Sequence, residues 1–141
     1  MTEWTDKCWG QTRETVDSPY YSRHELKINA GGYCSLHYHE ERANRFIVTS
    51  GLVEIIEMFG PSVRRTVLGP DNTYEVASLV PHLFAVRKTG EMIEEYFADR
   101  GGTVRRNDII RIVEGGLLED RTQIDRLPYS ILQDLWISDT K

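Results

Sequence analysis

Long apolar runs are missing from this chain: none approaches the roughly 18 residues that a membrane-spanning helix needs. The opening stretch, MTEWTDKCWGQTRETVD, is polar and acidic and lacks the basic and apolar regions of a secretory signal. A cytoplasmic protein with no membrane contact is therefore expected. Clustered positive charge is missing as well. Lys and Arg number 17 against 22 Asp and Glu, a net charge of −5, whereas phosphate-backbone binding needs concentrated Lys and Arg. Nucleic acid is thus excluded as the main partner. The pairs Arg64-Arg65 and Arg105-Arg106 read as solvated strand edges or turns, with local positive potential suited at most to a phosphorylated small molecule. The two cysteines, Cys8 and Cys34, form no CxxC pair and cannot make a disulfide framework, so free thiols are expected. No internal repeat and no low-complexity tract occurs.

What remains is 141 residues, 40% apolar and 28% charged, the balance of one ordinary globular domain. Residues 1–19 read as an irregular N-terminal arm anchored by Trp4 and Trp9. From 20 to 115 the chain is β-like. Short segments rich in Val, Ile, Phe, Tyr and Thr fall near 20–29, 33–39, 44–49, 52–58, 63–68, 73–78, 82–88 and 91–98. They are separated by Gly31-Gly32, Ser50-Gly51, Gly60-Pro61, Gly69-Pro70 and Thr89-Gly90, a spacing that predicts a sandwich or barrel. The tail, 116–141, carries Ile131, Leu132, Leu135 and Trp136 at helical spacing, with Pro128 fitting the first turn. A helix packed on the barrel or on a partner is expected, with a lid over the barrel mouth as the alternative.

The segment GGYCSLHYHEERANRFIVTSG, residues 31–51, carries the chemistry. Alternate strand residues share a face, so His37 and His39 point one way and Tyr38 the other. Two imidazoles side by side can converge on one ion at about 2.0–2.1 Å. His82 opens a further apolar strand, HLFAV, and three neutral nitrogen donors suit Zn, Fe, Mn, Co or Ni. Phe46, Val48, Phe84 and Val86 share the parity of these histidines. His24, Leu26 and Ile28 form another possible inward row, with His24 more readily a strand histidine than a catalytic one. Glu94 and Tyr96 lie on one face of the last strand and Glu95 on the other. One of these three is a candidate general acid or base; parity alone does not say which face is inward. Arg87 and Lys88 read as surface charges. Apolar Cys34, Leu36 and Ile47 on the outward side suggest burial against a second sheet or a second copy of the chain, hence a homodimer.

Gly31, His37, His39 and Gly51 match G-x5-H-x-H-x3,4-E-x6-G, and His82 keeps the histidine of the second motif; in these residues the chain resembles the cupins. The resemblance implies an all-β, double-stranded β-helix, a jelly-roll barrel, here with a short C-terminal helix. It also implies a divalent transition metal on His37, His39, Asn44 and His82. Asn44 stands where the family has Glu. Three outcomes are open: Asn44 ligates weakly, Glu41 replaces the carboxylate, or the metal is lost and a polar pocket remains.

The flanks narrow the likeness. SLHYHEERANRFIVTSG is similar to the first motif of the type II phosphomannose isomerase cupin domain, through Ser35, Leu36, His39, Arg42, Val48 and Gly51. Trp9-Gly10 and Asp108-Ile109-Ile110-Arg111 are similar to that family's W-G and D-I-V-R segments. This implies a sugar or sugar-phosphate isomerase or epimerase that moves a proton between neighbouring carbons, with Arg111 near the substrate. Of the three acid–base candidates on the last strand, Glu94 and Tyr96 are taken as the catalytic pair. Two other classes use the same scaffold: a small metal-dependent dioxygenase, decarboxylase or lyase acting on a small acid, and a non-catalytic sugar-binding cupin.

Overall fold

The computed structural model describes residues 3–99, 103–105 and 107–133. Eleven strands form among them: β1 (Thr5–Lys7), β2 (Gly10–Asp17), β3 (Tyr21–Ile28), β4 (Gly32–Tyr33), β5 (Leu36–Tyr38), β6 (Arg42–Phe59), β7 (Ser62–Leu68), β8 (Thr73–Val76), β9 (His82–Ala98), β10 (Ile110–Val113) and β11 (Gly116–Leu117). Two of them organise the rest. β6 and β9 are 18 and 17 residues long and pair antiparallel from Arg42↔Ala98 to Glu57↔His82.

The sequence suggested four strands over these two stretches. Ser50-Gly51 and Thr89-Gly90 prove to be bends inside continuous strands. Gly51 has φ +87°, and a Cβ on Gly90 would lie 2.1 Å from the Ser50 carbonyl oxygen. The two backbones therefore touch where any side chain would intrude. Register shifts cluster between Val48 and Val53, and such bulges kink a ribbon sharply.

Each half of the bent ribbon seeds its own layer. The first half of β6 carries β8, and the second half of β9 carries β3, then β2 and β1. The second half of β6 carries β7, and the first half of β9 carries β4 and β5, extended by β11 and β10. Leu26, Ile28, Phe46, Val48 and Met92 from the first layer and Val53, Ile55, Phe84 and Val86 from the second belong to one buried cluster. The result is an all-β barrel of the double-stranded β-helix type.

The stretch expected as an irregular arm is mostly strand. β2 reads GQTRETVD, with Val16 as its single aliphatic residue, so no alternating apolar signal marks it. It forms because the edge of β3 offers backbone partners from Gly10↔Ile28 to Asp17↔Ser22. The two tryptophans do anchor it. Trp9 is buried edge-on against Phe84, with ring centroids 5.0 Å apart, and Trp4 is covered by Arg13 and Lys27.

The outer face of the second layer is closed by the tail. Asp120 caps a 3₁₀ helix, Arg121–Arg126, by accepting the Thr122 N–H at 2.9 Å. Residues 129–133 are helical, starting from the Pro128 carbonyl. Ile124 and Leu127 are fully buried, and Ile131 and Leu132 pack against the core; Leu135 and Trp136 lie outside the described residues. Arg65 and Arg87, expected to be solvated, instead converge on buried Glu54 at 3.1 and 2.7 Å. Arg65 also donates to the carbonyls of Ile124 and Leu127, and Arg87 to Asp125. Leu36, whose outward position suggested a subunit contact, is fully buried within the chain itself. No helix among the described residues is long and apolar enough to cross a membrane.

Removing Glu54 takes away the carboxylate that Arg65 and Arg87 share, leaving them only their contacts to the tail. Glu54→Ala is expected to cost roughly 2–3 kcal/mol, below the range for a fully buried pair because both arginines are partly exposed. Urea unfolding checks the loss, and hydrogen exchange of residues 120–127 should accelerate with it.

Candidate metal centre

Three of the four histidines of the chain meet in the barrel interior. His37 on β5 and His82 at the start of β9 are register partners, so their side chains share a face at the closest cross-strand spacing. His39 lies one residue beyond β5, in the turn that leads to β6. The ligand-capable nitrogens of all three lie within 4.8 Å of one another, and the ring centroids are 4.6–5.4 Å apart.

Each ring is turned the same way. Nδ1 of His37 sits 2.7 Å from the Ser35 carbonyl, Nδ1 of His39 2.7 Å from the Asp108 carbonyl, and Nδ1 of His82 2.8 Å from the Val80 carbonyl. A carbonyl only accepts, so each Nδ1 carries the proton and each Nε2 keeps its lone pair. Arg42 Nε also approaches His39 Nδ1, at 3.3 Å. The shorter contact to Asp108 decides the tautomer, and Arg42 is left as a nearby positive charge stacked 3.8 Å above the Tyr96 ring.

The imidazoles are neutral at neutral pH. Burial, then the two neighbouring rings, push His37 down to about 2. Burial and Arg42 push His39 to about 3, and burial pushes His82 to about 4. The cluster thus offers three uncharged nitrogen donors. His39 Nε2 and Asn44 Oδ1 are buried with no hydrogen-bond partner within the protein, a cost of about 1–3 kcal/mol each unless another group satisfies them. Three neutral His donors in one buried site, the Nε2 of His39 among them without a partner, fit a divalent ion.

Asn44, fully buried on β6, is brought to this site. It presents its amide nitrogen, which lies 3.4 Å from His82 Nε2 and donates to Glu94 at 2.9 Å. Glu41, the alternative carboxylate, points away: it pairs with Arg105 at 3.2 Å and is 40% exposed. Glu94 and Tyr96 lie on the inward face of β9, in cross-strand rows with Phe46 and Asn44. Burial, then Glu94, raise the Tyr96 hydroxyl well above its ordinary value of 10, so it is a donor. Arg111 on β10 is the register partner of His37. Together with His24, Arg42, Glu94, Tyr96 and His37 it lines a cavity of about 480 Å³. His24 faces Tyr96 edge-on at 5.6 Å and lies 3.5 Å from Glu14.

Two residues escaped the sequence reading. Glu57 is the register partner of His82, buried, and takes the hydroxyl proton of Tyr74 as a hydrogen bond. The alternation Val53, Ile55, Glu57 was its signal. Asp108 accepts the backbone N–H groups of Glu40, Glu41 and Arg42 at 2.7, 2.9 and 3.1 Å. Burial opposes its ionisation, but the N–H donors of Glu40 and Glu41 outweigh that and hold its carboxyl below the ordinary 3.8. Its signal was the Asp108-to-Arg111 segment, where Arg111 drew the attention.

No family model matches the chain, and no curated protein matches it. Solved structures do. Oxalate decarboxylase from Bacillus subtilis is 17% identical with a TM-score of 0.67, over 79% of this chain and 30% of its own; it is described elsewhere among the matches as holding Mn(II) centres. Oxalate decarboxylase from Lactobacillus farciminis, in a formate complex, is 15% identical with a TM-score of 0.64, over 78% of this chain and 33% of its own. KdgF from a Halomonas species is 17% identical with a TM-score of 0.60, over 70% of this chain and 89% of its own. The chain thus spans about a third of the decarboxylases and most of the length of KdgF. At these identities the likeness shows the fold, and the fold is that of a cupin.

Proposed function

We propose that the chain is a metal-dependent cupin enzyme that acts as a decarboxylase or lyase on a small carboxylic acid, with the metal on Nε2 of His37, His39 and His82. The observation that carries the metal part of this reading is the common orientation of three neutral imidazoles, each with Nδ1 committed to a backbone carbonyl. The likeness in fold to the oxalate decarboxylases supports the choice of reaction. Bound there, a divalent ion would supply Lewis acidity toward a substrate carboxylate or carbonyl oxygen.

The remaining work falls to the chain's own side chains. Arg111 offers a planar, bidentate partner for a carboxylate at the cavity wall. Glu94 is held by the Asn44 amide and by the protonated Tyr96 hydroxyl, so its carboxylate is aimed at the cavity, where it takes or returns a proton at a substrate carbon. Trp9 and Phe84 close one wall with apolar edges and exclude water from it. Asn44 serves Glu94 in this arrangement: turning its oxygen toward a metal would break the bond to Glu94.

A sugar-phosphate isomerase remains the second reading, supported by the motif around His37 and His39 and drawing on the same Glu94 and Tyr96. The two differ in product. The proposed activity releases CO₂ or an unsaturated acid from small 2-oxo, hydroxy or dicarboxylic acids; the isomerase exchanges the C2 proton of an aldose phosphate with solvent. A Mn(II)- or Co(II)-loaded protein assayed for both by NMR decides between them, and metal binding with neither would leave a non-catalytic binder.

Ligand substitutions test the site itself. His82→Ala is expected to weaken Co(II) binding by more than about 100-fold, beyond the 10–100-fold typical of outer partners. Asn44→Ala should change it by less than about tenfold, the lower end of that range, while disordering Glu94. A loss at Asn44 equal to that at His82 would place Asn44 among the ligands.

The histidine pKa values predict acid sensitivity of the metal-free protein. Folded values of about 2, 3 and 4 lie below the unfolded value near 6.5. As pH falls through 6.5 the unfolded chain gains protons that the folded one refuses, so stability drops. Each imidazole contributes about 1.4 kcal/mol per pH unit down to its folded value. Urea unfolding at pH 7 and pH 5 should show the drop, and His82→Gln should flatten it by one histidine's share.

A further inference from the structure

His37 and His82 are placed by the sheet, because they face each other across paired strands. His39 is not. It lies between the end of β5 at Tyr38 and the start of β6 at Arg42, where no ladder bond fixes the backbone. Leu79 donates its N–H to the His39 carbonyl at 2.6 Å, and Asp99 donates its N–H to the Glu41 carbonyl at 2.9 Å. Arg42 and Tyr96 lie against the ring, and Asp108 makes the most contacts to this turn.

Asp108 acts through both its backbone and its side chain. Its carbonyl takes the His39 Nδ1 proton at 2.7 Å and so fixes which nitrogen faces the cluster. Its carboxylate takes three successive backbone N–H groups, with Oδ1 on Glu40 and Oδ2 on Glu41 and Arg42. These are the residues of the turn that carries His39 from β5 into β6. Two residues further on, Ile110 and Arg111 pair with Tyr38 and His37. One short segment, 107–111, therefore orients His39, clamps its turn and brings Arg111 to the cavity.

We propose that Asp108 is a positioning residue that couples metal binding at His39 to the docking of residues 107–111, and thereby to the placement of Arg111. The inference rests on the metal reading above. An ion that needs His39 in place favours the docked segment, and by reciprocity the docked segment favours the ion. Asparagine at 108 has the same shape but keeps only one accepting oxygen. Its NH₂ would meet a backbone N–H that needs an acceptor.

Two measurements with Co(II) as the probe test this. In the whole 141-residue chain, Asp108→Asn is expected to bind Co(II) about 10–100-fold more weakly, the effect of losing an outer-sphere partner, with a changed d–d spectrum and unchanged far-ultraviolet circular dichroism. Binding within twofold of the wild type, with the same spectrum, overturns the proposal. Hydrogen exchange on the wild-type protein supplies the second measurement, which holds even where the variant does not fold. Co(II) should slow exchange at the amides of Glu40, Glu41 and Arg42 and of residues 108–111 together. Protection confined to the residues around His37 and His82 overturns the coupling while leaving the metal site intact, and a wild type that binds no Co(II) overturns the metal reading and this inference with it.

Discussion

The antiparallel pairing of β6 with β9, bent once at Gly51 and Gly90, is the constraint on which the rest of the molecule depends. Straight strands of 18 and 17 residues would make a flat ribbon with its two ends far apart. The close backbone crossing at the glycines folds the ribbon over, so that the same two strands run through both layers. Asn44, Glu94 and Tyr96 are then carried on one layer and His37 and His82 on the other. A functional site assembled from both faces follows from that bend without any long loop reaching in.

Burial does the second part of the work. An exposed histidine pair would be half protonated slightly below neutrality and would compete poorly for a metal. Inside this barrel, desolvation keeps all three rings neutral, and the backbone carbonyls of Ser35, Asp108 and Val80 choose the nitrogen that stays free. The acceptors are ordinary peptide groups, so the orientation of the cluster depends on the local path of the chain. A substitution that leaves every histidine in place can still disturb it.

Much of this was legible in the sequence, and the legible parts share a cause. Period-2 alternation and turn residues marked most of the strands of the barrel body, and the spacing of His37, His39 and His82 marked the cluster, because both are local patterns that geometry translates directly. What escaped was set by partners distant in sequence. β2 has no apolar rhythm and exists because β3 has an open edge. Ser50-Gly51 looks like a turn unless Thr89-Gly90 is known to cross it. Arg65 and Arg87 look solvated until Glu54 and the tail are placed between them, and Asp108 is informative only beside residues 39–42. Asn44 was legible as a departure from a carboxylate, but its amide nitrogen facing Glu94 was not.

The division of the site between the two layers has a mechanical consequence. His37 and His82 belong to one wall of the barrel, and Glu94 and Tyr96 belong to the other. The distance from the histidine cluster to Glu94 and Tyr96 is therefore the gap between the walls. Phe46 and Phe84, one from each wall with centroids 6.1 Å apart, act as spacers that set that gap. The hydrophobic core of this barrel is thus also the gauge that spaces the histidine cluster from the Glu94–Tyr96 pair.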